Sequence, residues 1–247
     1  MASKSGGKPE WQRHCGLNAV AAVFARRPEA VQRLFYTDAM KLQVGHFCRA
    51  LAAAKKPYRM MPPEEVEKAG GTVHHGGVVA IATALPILPF DAAAIDGPQP
   101  VVVLDGVGNP QNFGAIARTA AFLGVRHLIL SGDPRQALPS EAAIRVAEGA
   151  LEHLALWRAP DLPDALFALS DRFTTLASSL AENAVAPEAV SRDKPVAIVL
   201  GNEEAGLSSA TVAACRHVVT IPGSGAVQSL NVGAAAAILI EKFRTLA

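Results

Sequence analysis

Cysteine is scarce and scattered. The 247-residue chain has three, Cys15, Cys48 and Cys215, with no C-x-x-C pair and no His/Cys spacing of the kind that holds zinc. This excludes a disulfide framework and a structural metal module, and an odd count without a framework suits a reducing cytoplasm. All three are expected to be small buried hydrophobes. No apolar run reaches the roughly 18 residues needed to cross a bilayer; the longest, "VGAAAAILI", signals a buried helix. The opening "MASKSGGKPE" is polar and lacks a secretory apolar region, so residues 1–12 are expected to be disordered. Neither sign of charge dominates: the formal net charge is +1, and nothing global announces a polyanionic partner. Internal repeats are absent, as are low-complexity tracts beyond alanine richness.

What the chain does have is apolar bulk. Half its residues are hydrophobic and 18% are charged, which suits a compact protein long enough for two modest domains or one large one. Lys and Arg outnumber Asp and Glu through residue 68, making the amino-terminal part the better candidate for meeting phosphates, although a solvated basic face gives the same pattern. Within residues 13–84, "GLNAVAAVFA", "VGHFCRALAAAKK" and "PPEEVEKAGG" have helical spacing, while "VQRLFYT" and "GVVAIAT" read as strands. Residues 85–99, in the four-proline stretch "ALPILPFDAAAIDGPQP", follow neither periodicity and are expected to be a linker. Over residues 100–247 short apolar runs alternate with helical stretches. The runs lie at 101–105, 127–131, 154–158, 173–178, 196–201 and 218–222. This rhythm predicts an α/β fold with a parallel sheet covered by helices on both faces, and a ligand site beyond the carboxyl ends of the strands.

"VVTIPGSGAVQSLNVGAAAAILIEKF", at 218–243, has the strand–glycine loop–helix look of a dinucleotide site. The third glycine of G-x-G-x-x-G is missing, however, and the 19 residues after Gln228 read as one helix, leaving no second strand with an acidic residue for a ribose. There is no P-loop either. Three loops are nonetheless richer in glycine, asparagine and proline than turning requires. In "DGVGNPQNFGAIARTAAFLGV", Asn112 is a candidate cap for the helix that carries Arg118. Arg118 is either a snorkelling surface arginine or a fork presented to a phosphate or oxyanion. In "VLGNEEAGLS", Gly201 ends a buried strand, Asn202, Glu203 and Glu204 present polar groups, and Gly206 permits a positive φ. Ser229 and Asn231 stand at the start of the last helix, where capping is the ordinary role.

Taken together, "NPQNFGAIARTAAFLGV", "VLGNEEAGLS" and "IPGSGAVQSLNVGAAAAILIEKF" resemble motifs one, two and three of the SpoU (TrmH-type) RNA 2′-O-ribose methyltransferases of the SPOUT class, in order and spacing. "AIRVAEGALEHL" resembles the segment between motifs one and two, and the region containing "HHGGVVAIA" resembles the family's small L30e-like substrate-binding domain. The resemblance implies a carboxyl-terminal trefoil knot, and S-adenosylmethionine held by Gly201, Asn202, Ile221, Pro222 and Leu230. It implies a catalytic set of Asn112, Arg118, Glu203, Ser229 and Asn231, and a cytoplasmic homodimer acting on rRNA or tRNA, not on DNA or a membrane, without a metal. Arg13, His74 and His75 are the RNA-binding candidates; as part of "HHGG" the histidines are equally turn residues. Two positions depart from the family pattern: Glu204 stands where a glycine is usual and Gly233 where a serine is common. A catalytically silent RNA-binding or assembly protein on the same scaffold is the competing reading, and an unrelated small-molecule α/β enzyme a third.

Overall fold

The structure, a computed structural model, describes residues 10–181 and 183–245. The chain divides into two compact units, residues 1–85 and 86–247. The expectation of a disordered start at residues 1–9 lies outside the described residues. Trp11 and Gln12, included in that expectation, instead belong to a strand.

The first unit contains, in order, β1 (Trp11–Cys15), α1 (Leu17–Arg26), β2 (Val31–Tyr36), α2 (Lys41–Ala53), β3 (Tyr58–Met60), α3 (Pro63–Gly70) and β4 (Val78–Thr83). Its sheet has the order β1-β4-β2-β3, antiparallel except for the β2/β3 pair. β4 alternates across its own plane, so Val78, Ala80 and Ala82 meet Val20, Val23 and Phe24 of α1 and Val44, Phe47 and Leu51 of α2 in one core. β1 and β3 escape sequence reading because each exposes charged or aromatic residues at every second position or throughout. α3 carries proline at its start, Glu64 and Glu65 in its first turn, and ends at Gly71 with φ 66.

The second unit contains β5 (Leu88–Pro89), β6 (Val101–Asp105), α4 (Pro110–Phe122), β7 (His127–Ser131), α5 (Glu141–Ala147), β8 (Ala155–Ala159), α6 (Leu162–Leu169), β9 (Thr174–Ser178), β10 (Val196–Gly201), α7 (Ser209–Ala213), β11 (His217–Val219) and α8 (Val232–Phe243). These strands form one sheet, β11-β9-β10-β6-β7-β8-β5, in which every pairing is parallel. Val101, Val103, Ile129, Ala197 and Val199 face Leu162, Ala165, Leu166 and Leu169 of α6. α4 packs against both α5 and α8, and α8 also packs on β10. The 85–99 stretch is not a free linker: Leu88 and Pro89 pair with Trp157 and Arg158 at the sheet edge, and Ile95 is buried in the α6-side core. Proline is tolerated there because an edge strand needs donors on one side only. The cysteines are half-buried rather than buried. Burial, with the charge of Asp105 behind it, pushes the Cys215 thiol up to about 12, so it behaves as an inert small hydrophobe.

α5 lies against α4 at Gly114, where an added Cβ would stand 2.6 Å from the carbonyl oxygen of Ala143 and 2.9 Å from Cβ of Val146. Gly114→Ala should therefore destabilise the protein although alanine favours helix by about 0.5–1 kcal/mol. Overpacking against backbone opposes with about 1–3 kcal/mol, a fall of several degrees in melting temperature. A variant melting at or above wild type in differential scanning calorimetry would show that the helices are not in contact at this point.

Candidate functional site

β6 is the strand at which the topology reverses. The chain runs from β6 to β7 on one side and later returns with β9 and β10 on the other. In parallel sheets the crevice beyond such a reversal is where ligands bind. Gly201 at the end of β10 is in register with Asp105 at the end of β6, so the loops after these strands start side by side. Both loops are then tied by side chains.

The turn after β10 is closed by two backbone bonds, from the Asn202 amide to Gly206 O (3.1 Å) and from the Gly206 amide to Asn202 O (3.0 Å). It is so tight that a Cβ on Gly201 would meet the backbone carbon of Gly206 at 2.5 Å. Gly206 has the positive φ expected of it, 68. Asn202 braces this turn with Oδ1, which accepts from the amides of Glu204 and Ala205, while Nδ2 donates to Gly106 O at 2.8 Å. Its side chain thus binds the neighbouring loop.

Glu203 reaches further. Its carboxylate accepts from the Gly108 amide (3.2 Å), the Asn109 amide (3.3 Å) and Nδ2 of Asn112 (2.8 Å). Asn112 in turn accepts with Oδ1 from Nδ2 of Asn231 at 3.1 Å. One hydrogen-bonded chain, Glu203–Asn112–Asn231, therefore links all three loops. Partial burial raises the Glu203 carboxyl, but the bonds from Asn112 and from the backbone amides outweigh it and hold the group below its ordinary value. It is an anion at neutral pH.

Asn112 does not cap α4; Asn109 does, its Oδ1 accepting from the Gln111 amide at 2.8 Å, because Pro110 takes the first helical position and sets the cap one residue before it. Asn231 does cap α8, accepting from the Gly233 amide at 2.8 Å. A Cβ at 233 would stand 3.1 Å from that same Oδ1, so the missing side chain at Gly233 leaves room for the cap. Ser229 is exposed in the loop just before it. Arg118 is not drawn into the cluster. It lies on α4 about one and two-thirds turns beyond Asn112, half-exposed, with Nη1 3.0 Å from Oε1 of Glu148.

The stretch from Ile221 to Leu230 has no regular structure. Among the described residues none of its amides or carbonyls joins another backbone group. Its apolar side chains are uncovered, Val227 at 72% and Leu230 at 47% exposure, with Ile221 partly covered and Pro222 exposed. Backbone donors and acceptors not taken up by other backbone groups, beside apolar side chains, suit a purine-bearing cofactor held by main-chain groups, so the residues fit S-adenosylmethionine. Among the described residues no group of three or more His, Cys, Asp or Glu is placed to hold a metal ion, and no helix is long and apolar enough to cross a membrane.

In the first unit, the Arg13 guanidinium lies against Gly71, and Cβ of His75 lies beside Gly70. His75 acts in its turn, its Nδ1 accepting from the Gly77 amide at 3.0 Å, whereas His74 is exposed. Sequence reading missed the brace of the first loop. Gln136, buried, accepts from the Gly106 amide (3.0 Å) and donates to Val107 O (3.2 Å) and Ala137 O (3.0 Å), while Ser131 Oγ also accepts from Gly106. "SGDPRQALPS" gives no sign of this beyond one amide side chain in a proline loop.

The SpoU rRNA Methylase family model matches residues 99–241, and the RNA 2′-O ribose methyltransferase substrate binding model matches residues 15–88. A 23S rRNA (guanosine-2′-O-)-methyltransferase RlmB from Acinetobacter baylyi is 30% identical over 243 residues, covering 94% of this chain and 96% of that one. An uncharacterized tRNA/rRNA methyltransferase from Haemophilus influenzae is 36% identical over 157 residues, 62% of this chain, and the match spans 44% of that longer protein. The crystal structure of an AdoMet-bound rRNA methyltransferase from Sinorhizobium meliloti superimposes with TM-score 0.80 at 23% identity, over 94% of this chain and 86% of that one, which establishes a shared fold. On the strength of the match over residues 99–241, the chain belongs to the SpoU rRNA methylase family.

Proposed function

We propose that this protein is an S-adenosylmethionine-dependent methyltransferase acting on a ribose 2′-hydroxyl of structured RNA, rRNA or tRNA. The observation that carries the proposal is the Glu203–Asn112–Asn231 chain, which ties three loops into one site at the sheet's reversal point. S-adenosylmethionine supplies an already activated methyl group, so the reaction calls for no metal; the protein has to align the hydroxyl and manage its proton. Gly201, Ile221, Pro222 and Leu230 would hold the cofactor, with Asn202 keeping the motif-two turn in shape. Ser229 and Asn231 orient the ribose. Arg118 stays protonated, so its role is to stabilise the developing alkoxide and hold the adjacent phosphate, not to accept the proton. The 2′-hydroxyl is what RNA has and DNA lacks.

The working form in this reading is a cytoplasmic homodimer with a knotted second unit and an L30e-like first unit that contacts RNA through Arg13, His74 and His75. Three features support it. The chain leaves β11 at one edge of the sheet and returns as α8 to pack on α4 and β10, the course a threaded segment would take. Ile238 of α8 and Phe122 of α4 leave apolar surface uncovered, at 43% and 87% exposure. Arg118 pairs with Glu148 and not with the Glu203–Asn112–Asn231 chain, as expected of a group that serves a site shared between subunits.

Calorimetry with S-adenosylmethionine is the first test. Binding should be saturable, and at a hundredfold excess over Kd the cofactor should add about 2.7 kcal/mol to stability. Mapping of ribose methylation in RNA from cells with and without the gene should then show one or more missing 2′-O-methyl groups. No binding heat would favour the silent scaffold. Cofactor binding with weak, salt-insensitive RNA binding would favour a small-molecule enzyme.

A further inference from the structure

Glu148 is one of two non-glycine residues with positive φ among the described residues (φ 46), and it follows the last residue of α5. Such left-handed backbone is costly for a side chain with a Cβ and free of strain for glycine. Gly149, the next residue, is also left-handed, with φ 92. The sequence thus places glycine at the second of two left-handed positions and keeps a carboxylate at the first. A strained residue of this kind points to a function for its side chain.

That side chain meets Arg118. Oε1 of Glu148 lies 3.0 Å from Nη1, with the two side chains 45% and 55% exposed. An ion pair this open adds little to stability, so the strength of this pair does not explain a strained glutamate. The backbone fixes the encounter. Gly114 lets α5 press on α4, and Arg118 stands one turn further along α4. The chain is pinned on either side of Glu148 by the buried Ala147 and Leu151, and its amide bonds to Ile144 O at 3.1 Å.

Resting on the methyl transfer proposed above, we infer that Glu148 is a positioning residue for Arg118. Its carboxylate, presented from a left-handed turn after α5, holds one corner of the guanidinium and leaves Nε and Nη2 to face the RNA phosphate and the 2′-oxygen. The planar fork has a fixed set of donor directions, so holding Nη1 orients the rest. An arginine held beforehand loses less side-chain freedom when substrate arrives.

Three variants of the full-length protein test this, with RNA transcripts as substrate and both substrate concentrations varied. Glu148→Gln should lower kcat about tenfold, with unchanged cofactor Kd and melting temperature. Glu148→Gly should lose activity to the same extent while its melting temperature holds or rises by about 2 °C; a merely structural role would lower both together. In an Arg118→Lys background, Glu148→Gln should change kcat less than about twofold, since the group it positions has gone. Wild-type kcat in both Glu148 variants, or a full tenfold loss persisting in the Arg118→Lys background, would overturn the assignment while methyl transfer stands. A wild-type protein that binds cofactor and methylates no RNA would overturn the methyl-transfer reading and this assignment with it.

Discussion

Arg118→Ala is expected to reduce RNA methylation by about 10²–10³-fold, the loss typical of removing one group that stabilises a developing oxyanion. Cofactor affinity should not change, because the Arg118 side chain pairs with Glu148 and is not among the groups proposed to hold the cofactor. Folding should be almost unaffected: the side chain is half-exposed, and exposed pairs contribute about 0–1 kcal/mol. Arg118→Lys should fall between, since an ammonium restores the charge without the fork that meets two oxygens at once. Steady-state kinetics and cofactor calorimetry on the same samples provide the check. Wild-type turnover in the alanine variant would remove Arg118 from the reaction. A parallel loss of cofactor binding would move it into the cofactor site instead.

The sequence carried the second unit's architecture because a parallel sheet buried on both faces leaves an uninterrupted apolar mark. "VVVLD", "HLILS" and "VAIVLG" are strands almost to the residue. Strands without that mark were invisible. Every residue of Tyr58–Met60 is exposed at an edge, and Leu88–Pro89 lies inside a proline-rich stretch whose local signal is that of a linker. The helix in "EAAIRVAEGALEH" stops at Ala147, because Glu148 and Gly149 both turn left-handed and only the glycine advertises it. The site was legible as three polar loops, and its wiring was not. Glu203 accepting from residues 91 to 95 positions earlier depends on strand order, which no local pattern encodes. The same holds for Gln136, whose partners are set by where the β7 loop passes β6.

Glu203→Ala should disturb all three loops at once, because it removes the acceptor shared by Gly108, Asn109 and Asn112. Loop groups of this kind regain water when released, so the stability loss should be modest. About 1 kcal/mol is expected, or about 2–4 °C in a chain of this size. Activity should fall much further, by about 100-fold, since a shift of about 1 Å in a positioning group is enough for that. Glu203→Gln should not rescue it: Oε1 and Oε2 both accept in the wild type, and an amide offers one acceptor and turns a donor toward another donor. The wild-type pH dependence follows from the same bonds. The folded-state carboxyl sits below its ordinary value of 4.5, so its contribution is fully present above that value and is lost as pH falls through the lower, folded one. Between pH 5 and 8 Glu203 should therefore remain charged and give no titration step in activity or melting temperature. A glutamine variant with wild-type turnover, or a step assigned to Glu203 by its absence in that variant within this range, would show that the three loops are not held by this carboxylate.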